Sequence, residues 1–281
     1  MNDSAILRKT TLLKLCFFFV LILRATNICA VETKIPESYA SLDAYNSVSS
    51  RLRQELGNKG LQLGSPIFIR IFKQTAELEL WVQRETKYTL FKTYRICDFS
   101  GFLGPKLREG DKQSPEGFYS VGIKQLNPWS NYHLSFNLGY PNEYDVVHKR
   151  NGSALMVHGR CSSAGCFAMT DPRMNEIYTI AACALKSGQG QFPVHIFPFR
   201  MTWENLALYR QSKWLFFWEN LKEGYDYFLD HNVPPQVSVT DKRYVFFDSV
   251  ASQATSSKPV VAKLTRLAQL REKSPVLANK K

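Results

Sequence analysis

The chain has 281 residues, 44% of them hydrophobic and 13% aromatic, which is enough for a substantial core and too apolar for a disordered polymer. Its net charge of +12 is uneven: residues 1–30 carry +3 (Arg8, Lys9, Lys14 and Arg24 against Asp3), the last 31 residues carry +6, and residues 31–250 are nearly neutral at +3. The basic balance is therefore a property of the tail, which suits an anionic envelope surface or simple solubility and not a nucleic-acid-binding face.

Arg8, Lys9 and Lys14 precede the apolar run of residues 15–23 (LCFFFVLIL), and Ile28-Cys29-Ala30 offers a cleavage point. Residues 1–30 thus read as an export signal with a periplasmic destination, the alternatives being a retained anchor or a buried helix. The run is short for a bilayer span. Asn27 and Ile28 are not the small residues expected before a lipidated cysteine. Removal of the signal would take Cys16 and Cys29, leaving Cys97, Cys161, Cys166 and Cys183, a count that neither requires nor forbids a bridge.

Within an N-terminal helical segment over 31–65, Leu42, Tyr45, Val48, Leu52 and Leu56 recur every three or four residues and stop at Gly57, predicting one amphipathic helix. From Pro66 the period becomes two: Ile67, Ile69 and Ile71, then Leu78, Leu80 and Val82, then a β-rich run from Tyr88 to Cys97. Ser114-Pro115-Glu116-Gly117 reads as a turn feeding a strand at Phe118, Tyr119 and Val121. Residues 154–157 (ALMV) form a short strand that delivers His158 and Gly159 at its end. Residues 172–185 and 203–228 read as helices, and 192–199 as a strand with prolines at its edges. Beyond Pro234 strong periodicity is lost, and the end is rich in Ser, Lys and Pro. The fold class is mainly β with α: a β-sandwich or partly closed barrel over 66–199, a C-terminal helical extension over 200–250 and a basic tail over 251–281.

Residues 157–169 (VHGRCSSAGCFAM) hold an imidazole, two thiols, two hydroxyls and two glycines. A thiol is mostly protonated at neutral pH and needs a neighbouring base to become a nucleophile. His158 supplies one if the chain folds back, and Gly159 and Gly165 make that reversal feasible while leaving room for backbone N–H groups near an oxyanion. Other readings stay open on these residues: a local or core structural role for Cys161 and Cys166, part of a zinc site, or a serine elbow at Ser163.

The stretch resembles the active-site signature of the L,D-transpeptidase catalytic domain, in which a strand-borne His-Gly pair precedes Ser-x-Gly-Cys: here His158-Gly159 and Ser163-Ala164-Gly165-Cys166. Residues 114–119 (SPEGFY) are similar to the family's Thr-Pro-x-Gly-x-Phe turn, and the likeness spans roughly Pro66 to Phe199. The compact spacing resembles the family's murein-directed YafK branch.

The resemblance implies a β-sandwich catalytic domain with flanking helices, and Cys166 as nucleophile with His158 as base. It also implies Gly165, Ser163 and Gly159 as oxyanion or positioning residues. The substrate implied is a peptidoglycan stem peptide attacked at diaminopimelate, through a thioacyl enzyme resolved by an amine or by water. In the resembling branch the expected partner is a peptidoglycan-linked outer-membrane lipoprotein, and the expected activity is cleavage of that link. The chemistry calls for no metal and no organic cofactor. The rival from another class is a wall-binding module that keeps the fold without turnover.

Two departures bear on the substrate. The family has His where this chain has Ala164, and Arg where it has Ala168. Arg160 is the nearest basic residue to both catalytic groups and the candidate to replace the missing guanidinium. His133 is a second candidate substrate contact. His195, in a β-like run, reads as packed; His148 and His231 read as exposed.

Overall fold

The computed structural model describes residues 34–248, so the export signal expected over 1–30 and the basic tail expected over 251–281 lie outside the described residues. Helix α1 (Tyr39–Gly57) starts at Ser38, whose hydroxyl accepts the Ser41 N–H while the Ser41 hydroxyl accepts the Ser38 N–H. This reciprocal cap satisfies two donors the first turn would otherwise leave unpaired. The buried row is Ala44, Val48, Leu52 and Leu56, whereas Leu42 and Tyr45 are exposed. The expected apolar face is thus correct in its C-terminal half and shifted at the N-terminal turns.

One five-stranded sheet runs β3 (Lys87–Arg95), β2 (Glu77–Arg84), β1 (Ile67–Phe72), β10 (Gln191–Phe197), β5 (Gly117–Gly122). Only β1 and β10 are parallel. Every residue of β1 is buried, Ile67, Ile69 and Ile71 in one core and Phe72 in another, because both faces of this sheet are covered. The free side of β5 is closed by side-chain amides: Asn142 donates to the Phe118 carbonyl and Gln125 to that of Ser120.

The second sheet runs β4 (Asp98–Phe99), β9 (Phe167–Ala168), β8 (Met156–His158), β7 (Ser135–Asn137), β6 (Leu126–Asn127). Phe136, Val157 and Phe167 join the β1 isoleucines, α1 and α3 (Asp171–Lys186) in a common core, so the two-sheet expectation is met. Between β7 and β8 lies the short helix α2 (Glu143–Val147).

The other face of the first sheet carries a second core with α5 (Leu215–His231) and a hairpin. The single helix expected over 203–228 is two: α4 (Trp203–Leu208) and α5, parted at a polar stretch where the Ser212 hydroxyl accepts the Trp214 N–H. After Pro234, where no strand is expected, β11 (Gln236–Thr240) pairs with β12 (Arg243–Phe247). Asp241 and Lys242 both take positive φ, which gives the tight turn its twist. Under this layer Lys73 and Glu116 form a fully buried ion pair; Glu116 also accepts from the Gly104 N–H and the Trp218 indole.

Candidate active site

The second sheet sorts its residues by face. Cross-strand partners share a face, so Phe99, Phe167, Val157, Phe136 and Leu126 line the core side while Asp98, Ala168, His158, Ser135 and Asn127 line the other. Continuing this alternation one residue before β9 puts Cys166 on the His158 side. There it lies beside Met156, whose N–H donates to its sulfur at 3.4 Å. Nucleophile and base candidates are therefore diagonal neighbours across parallel strands. The loop joining them, residues 159–165, folds back as the two glycines allow.

His158 Nδ1 lies 2.6 Å from the Gly159 carbonyl. A carbonyl only accepts, so Nδ1 carries the proton and Nε2 keeps its lone pair. Burial pushes the imidazole below its ordinary pKa, against the Gly159 carbonyl and the Asp98 carboxylate, which favour its charged form. Burial likewise pushes the Cys166 thiol up, opposed by the Met156 N–H and then by the Lys106 cation. The resting pair is neutral thiol and neutral imidazole, and the sulfur donates to the Ala154 carbonyl at 3.6 Å.

Gly159 is confined by its surroundings: a Cβ there would meet the Asp171 carboxylate at 2.6 Å, the Tyr132 carbonyl at 2.8 Å and the His133 Cβ at 2.9 Å. Its N–H donates to the Leu134 carbonyl. Gly165 takes φ +131°, a conformation L side chains rarely adopt, and its N–H donates to the Ser163 hydroxyl. Both N–H groups are engaged within the protein. Ser163 is the hub of the loop: its N–H donates to Asp98 and its hydroxyl to the Cys166 carbonyl. The Ser114 hydroxyl donates to that same carbonyl, which brings the Ser-Pro-Glu-Gly turn into the site.

Cys161 is bonded to Cys97, leaving Cys166 and Cys183 as the free thiols among the described residues. This overturns a Cys161–Cys166 bridge and removes Cys161 as a zinc ligand. Among the described residues, no group of three or more His, Cys, Asp or Glu could hold a metal ion.

Arg160 is exposed with φ 54°, and its guanidinium lies 5.7 Å from the Tyr132 ring. Tyr132 also packs on His158, ring centroids 4.8 Å apart. The His133 Nε2 meets Asn175 on α3. Sequence reasoning missed Tyr132, Asp98, Lys106 and Cys97 as parts of this site. Tyr132, Asp98 and Cys97 lie in or beside strands that pair with β8 and β9, a signal visible only once the pairing is known, while Lys106 comes from the loop between β4 and β5.

Residues 70–196 match the L,D-transpeptidase catalytic domain family, YkuD. The chain is 47% identical over 198 residues to YafK of Escherichia coli K12, covering 70% of this chain and 78% of that one. The same figures hold for YafK of E. coli O157:H7, and the name of both assigns them to the L,D-transpeptidases.

The chain belongs to the L,D-transpeptidase family.

Among solved structures, the helical cell shape determining protein Pgp2 of Campylobacter jejuni aligns at 16% identity with a TM-score of 0.39, covering 73% of this chain and 91% of that one. Bd1075 of Bdellovibrio bacteriovorus aligns at 15% with a TM-score of 0.35, covering 71% and 94%. Both likenesses are too slight to build on. Ala168 is fully buried, paired in register with His158 on one side and Asp98 on the other.

Proposed function

We propose that the protein is an exported cysteine enzyme that acts on peptidoglycan stem peptides at diaminopimelate through a thioacyl intermediate on Cys166. The observation that carries this reading is the diagonal placement of Cys166 and His158 across β9 and β8, with Nδ1 of the imidazole engaged by Gly159. On substrate binding the sulfur leaves the Ala154 carbonyl, turns to Nε2 of His158 and gives up its proton as it attacks the peptide carbonyl. A C–S bond forms, the imidazolium protonates the departing amine, and water or an acceptor amine then resolves the thioester, returning its proton to His158.

The finer reading is hydrolysis of the link between an outer-membrane lipoprotein and peptidoglycan. Ala168 in place of a guanidinium supports a substrate that brings no free carboxylate to this face. Exposed Arg160 is the candidate cation for any remaining carboxylate.

Mass spectrometry after incubation with a carbapenem or a diaminopimelate-containing muropeptide tests the nucleophile: an adduct on Cys166 is expected. Absence of an adduct with either reagent would favour a wall-binding module without turnover. Digestion of lipoprotein-loaded sacculi should release the lipoprotein; cross-linked muropeptides as the sole product would replace hydrolysis by transpeptidation.

A further inference from the structure

Strand β4 is short, yet residues 97–100 hold the segment 161–168 at each of their positions. The Cys97 N–H donates to the Ala168 carbonyl at 2.7 Å, and the Cys97 sulfur is bonded to Cys161. Asp98 accepts the Ser163 N–H at 2.7 Å. Phe99 packs on Phe167, ring centroids 6.2 Å apart, and the Ser100 N–H donates to the Ser114 hydroxyl, which itself donates to the Cys166 carbonyl.

Asp98 is the charged residue of this stretch, and its neighbours are fixed, one by a disulfide and one by the core. It shares the His158 face of the second sheet, two strands away with Ala168 between them. At the usual strand spacing that is about 10 Å. Ala168 is fully buried, so protein and not water lies between carboxylate and imidazole, and the charge is weakly screened.

The other groups around His158 are neutral or engaged elsewhere. Tyr132 packs on its ring, Arg160 lies beyond Tyr132 with its N–H on the Asp171 carboxylate of α3, and His133 meets Asn175. Cys166 rests as a thiol, and Lys106, the cation that acts on it, is paired with Asp111. The Asp98 carboxylate favours the charged imidazole.

We propose that Asp98 is a positioning residue with two roles: one carboxylate oxygen pins the loop that leads to Cys166, and its charge, acting across Ala168, stabilises the imidazolium formed when Nε2 of His158 takes the thiol proton. This rests on the reading of Cys166 as nucleophile and His158 as base.

The rate at which a carbapenem acylates Cys166, followed by mass spectrometry on the full chain across pH, tests it. Asp98→Asn keeps an acceptor for the Ser163 N–H and removes the charge. The plateau rate should fall about tenfold, the scale of a unit charge about 10 Å away at an effective dielectric near 20. The acid limb should move to lower pH, because the charge that favours the imidazolium is gone. Tm should stay near the parent value, as should iodoacetamide alkylation above the thiol's own pKa, which needs no base. Asp98→Ala should lose about a further three- to tenfold, the scale of one hydrogen bond, and lower Tm, while Asp98→Glu restores part of the rate. A parent rate and acid limb in Asp98→Asn would overturn the inference, and so would an equal fall in iodoacetamide alkylation, the mark of a displaced thiol. No adduct in the parent chain would remove the nucleophile reading itself, and this inference with it.

Discussion

Ser114 and Ser163 donate their hydroxyls to one acceptor, the carbonyl of Cys166, at 3.3 and 2.7 Å. The turn before β5 and the loop before β9 are thereby a single unit, which gives a physical reason for the two motifs to occur together. Removing either hydroxyl frees one side of the nucleophile's backbone. Ser163→Ala and Ser114→Ala are each expected to lower kcat/KM about three- to tenfold, the scale of one hydrogen bond, and the double variant more than either. Full turnover in the double variant, measured on muropeptide substrate, would show that the carbonyl needs no anchoring.

The neutral resting pair sets the pH profile. In the proposed mechanism His158 acts as a base in its uncharged form, and burial holds its pKa below the ordinary value of about 6.5. The acid limb of kcat/KM should therefore lie below about pH 6.5. In the absence of substrate, alkylation of Cys166 by iodoacetamide should rise only above the ordinary thiol value of about 8.5, since burial raises it. His158→Gln should cost about 100-fold or more in turnover. A plateau of rapid alkylation at neutral pH would mean that the pair rests as thiolate and imidazolium.

The Cys97–Cys161 bridge closes a loop of sequence separation 64 and ties the segment between base and nucleophile to the strand edge at β4. On the chain-entropy scale such a closure stabilises by about 4 kcal/mol. Cys161→Ala, or reduction, should lower Tm and slow peptide turnover through a looser loop, while Cys166 still reacts with small alkylating reagents. Cys166→Ala should abolish turnover with Tm nearly unchanged. Thermal unfolding with and without reductant checks the first point, and an identical Tm in both would sink it.

His195 is fully buried between the rings of Phe68 and Phe118, each centroid 4.6 Å away, with Arg70 close enough to oppose a second positive charge. Burial first, and Arg70 second, hold its pKa well below the ordinary value. The unfolded chain takes up a proton below about pH 6.5 that the folded chain refuses, so this group's stabilisation is complete above that pH and falls as the solution is acidified. His195→Phe should flatten the Tm–pH curve below about pH 6.5 relative to the parent. Parallel curves for parent and variant would remove His195 from the acid response.

Much of the site was legible because its signals are local. Residues 154–157 announce a strand, which the structure starts two residues later, at Met156–His158, with Ala154 at positive φ before it, and Gly165 marks the reversal before Cys166. What escaped depends on pairing between distant segments. Cys97 meets Cys161 only because β4 lies beside β9, and Tyr132 reaches His158 only because β7 runs antiparallel to β8. The α1 face was misread at its start because Leu42 and Tyr45 satisfy helical spacing as well as Ser41 and Ala44 do. The hairpin at β11 and β12 was overlooked although Val237, Val239, Tyr244 and Phe246 alternate; the absence of a glycine at the Asp241-Lys242 turn hid it.

The pairing of Cys97 with Cys161 also determines which sulfur stays unoxidised. Cys161 stands five residues from Cys166 and is the sulfur most able, by chain proximity, to capture it wherever disulfides form. Committed across the sheet edge to Cys97, it is withdrawn from that competition. The bridge thereby keeps the neighbouring sulfur from pairing with Cys166, which stays a free thiol.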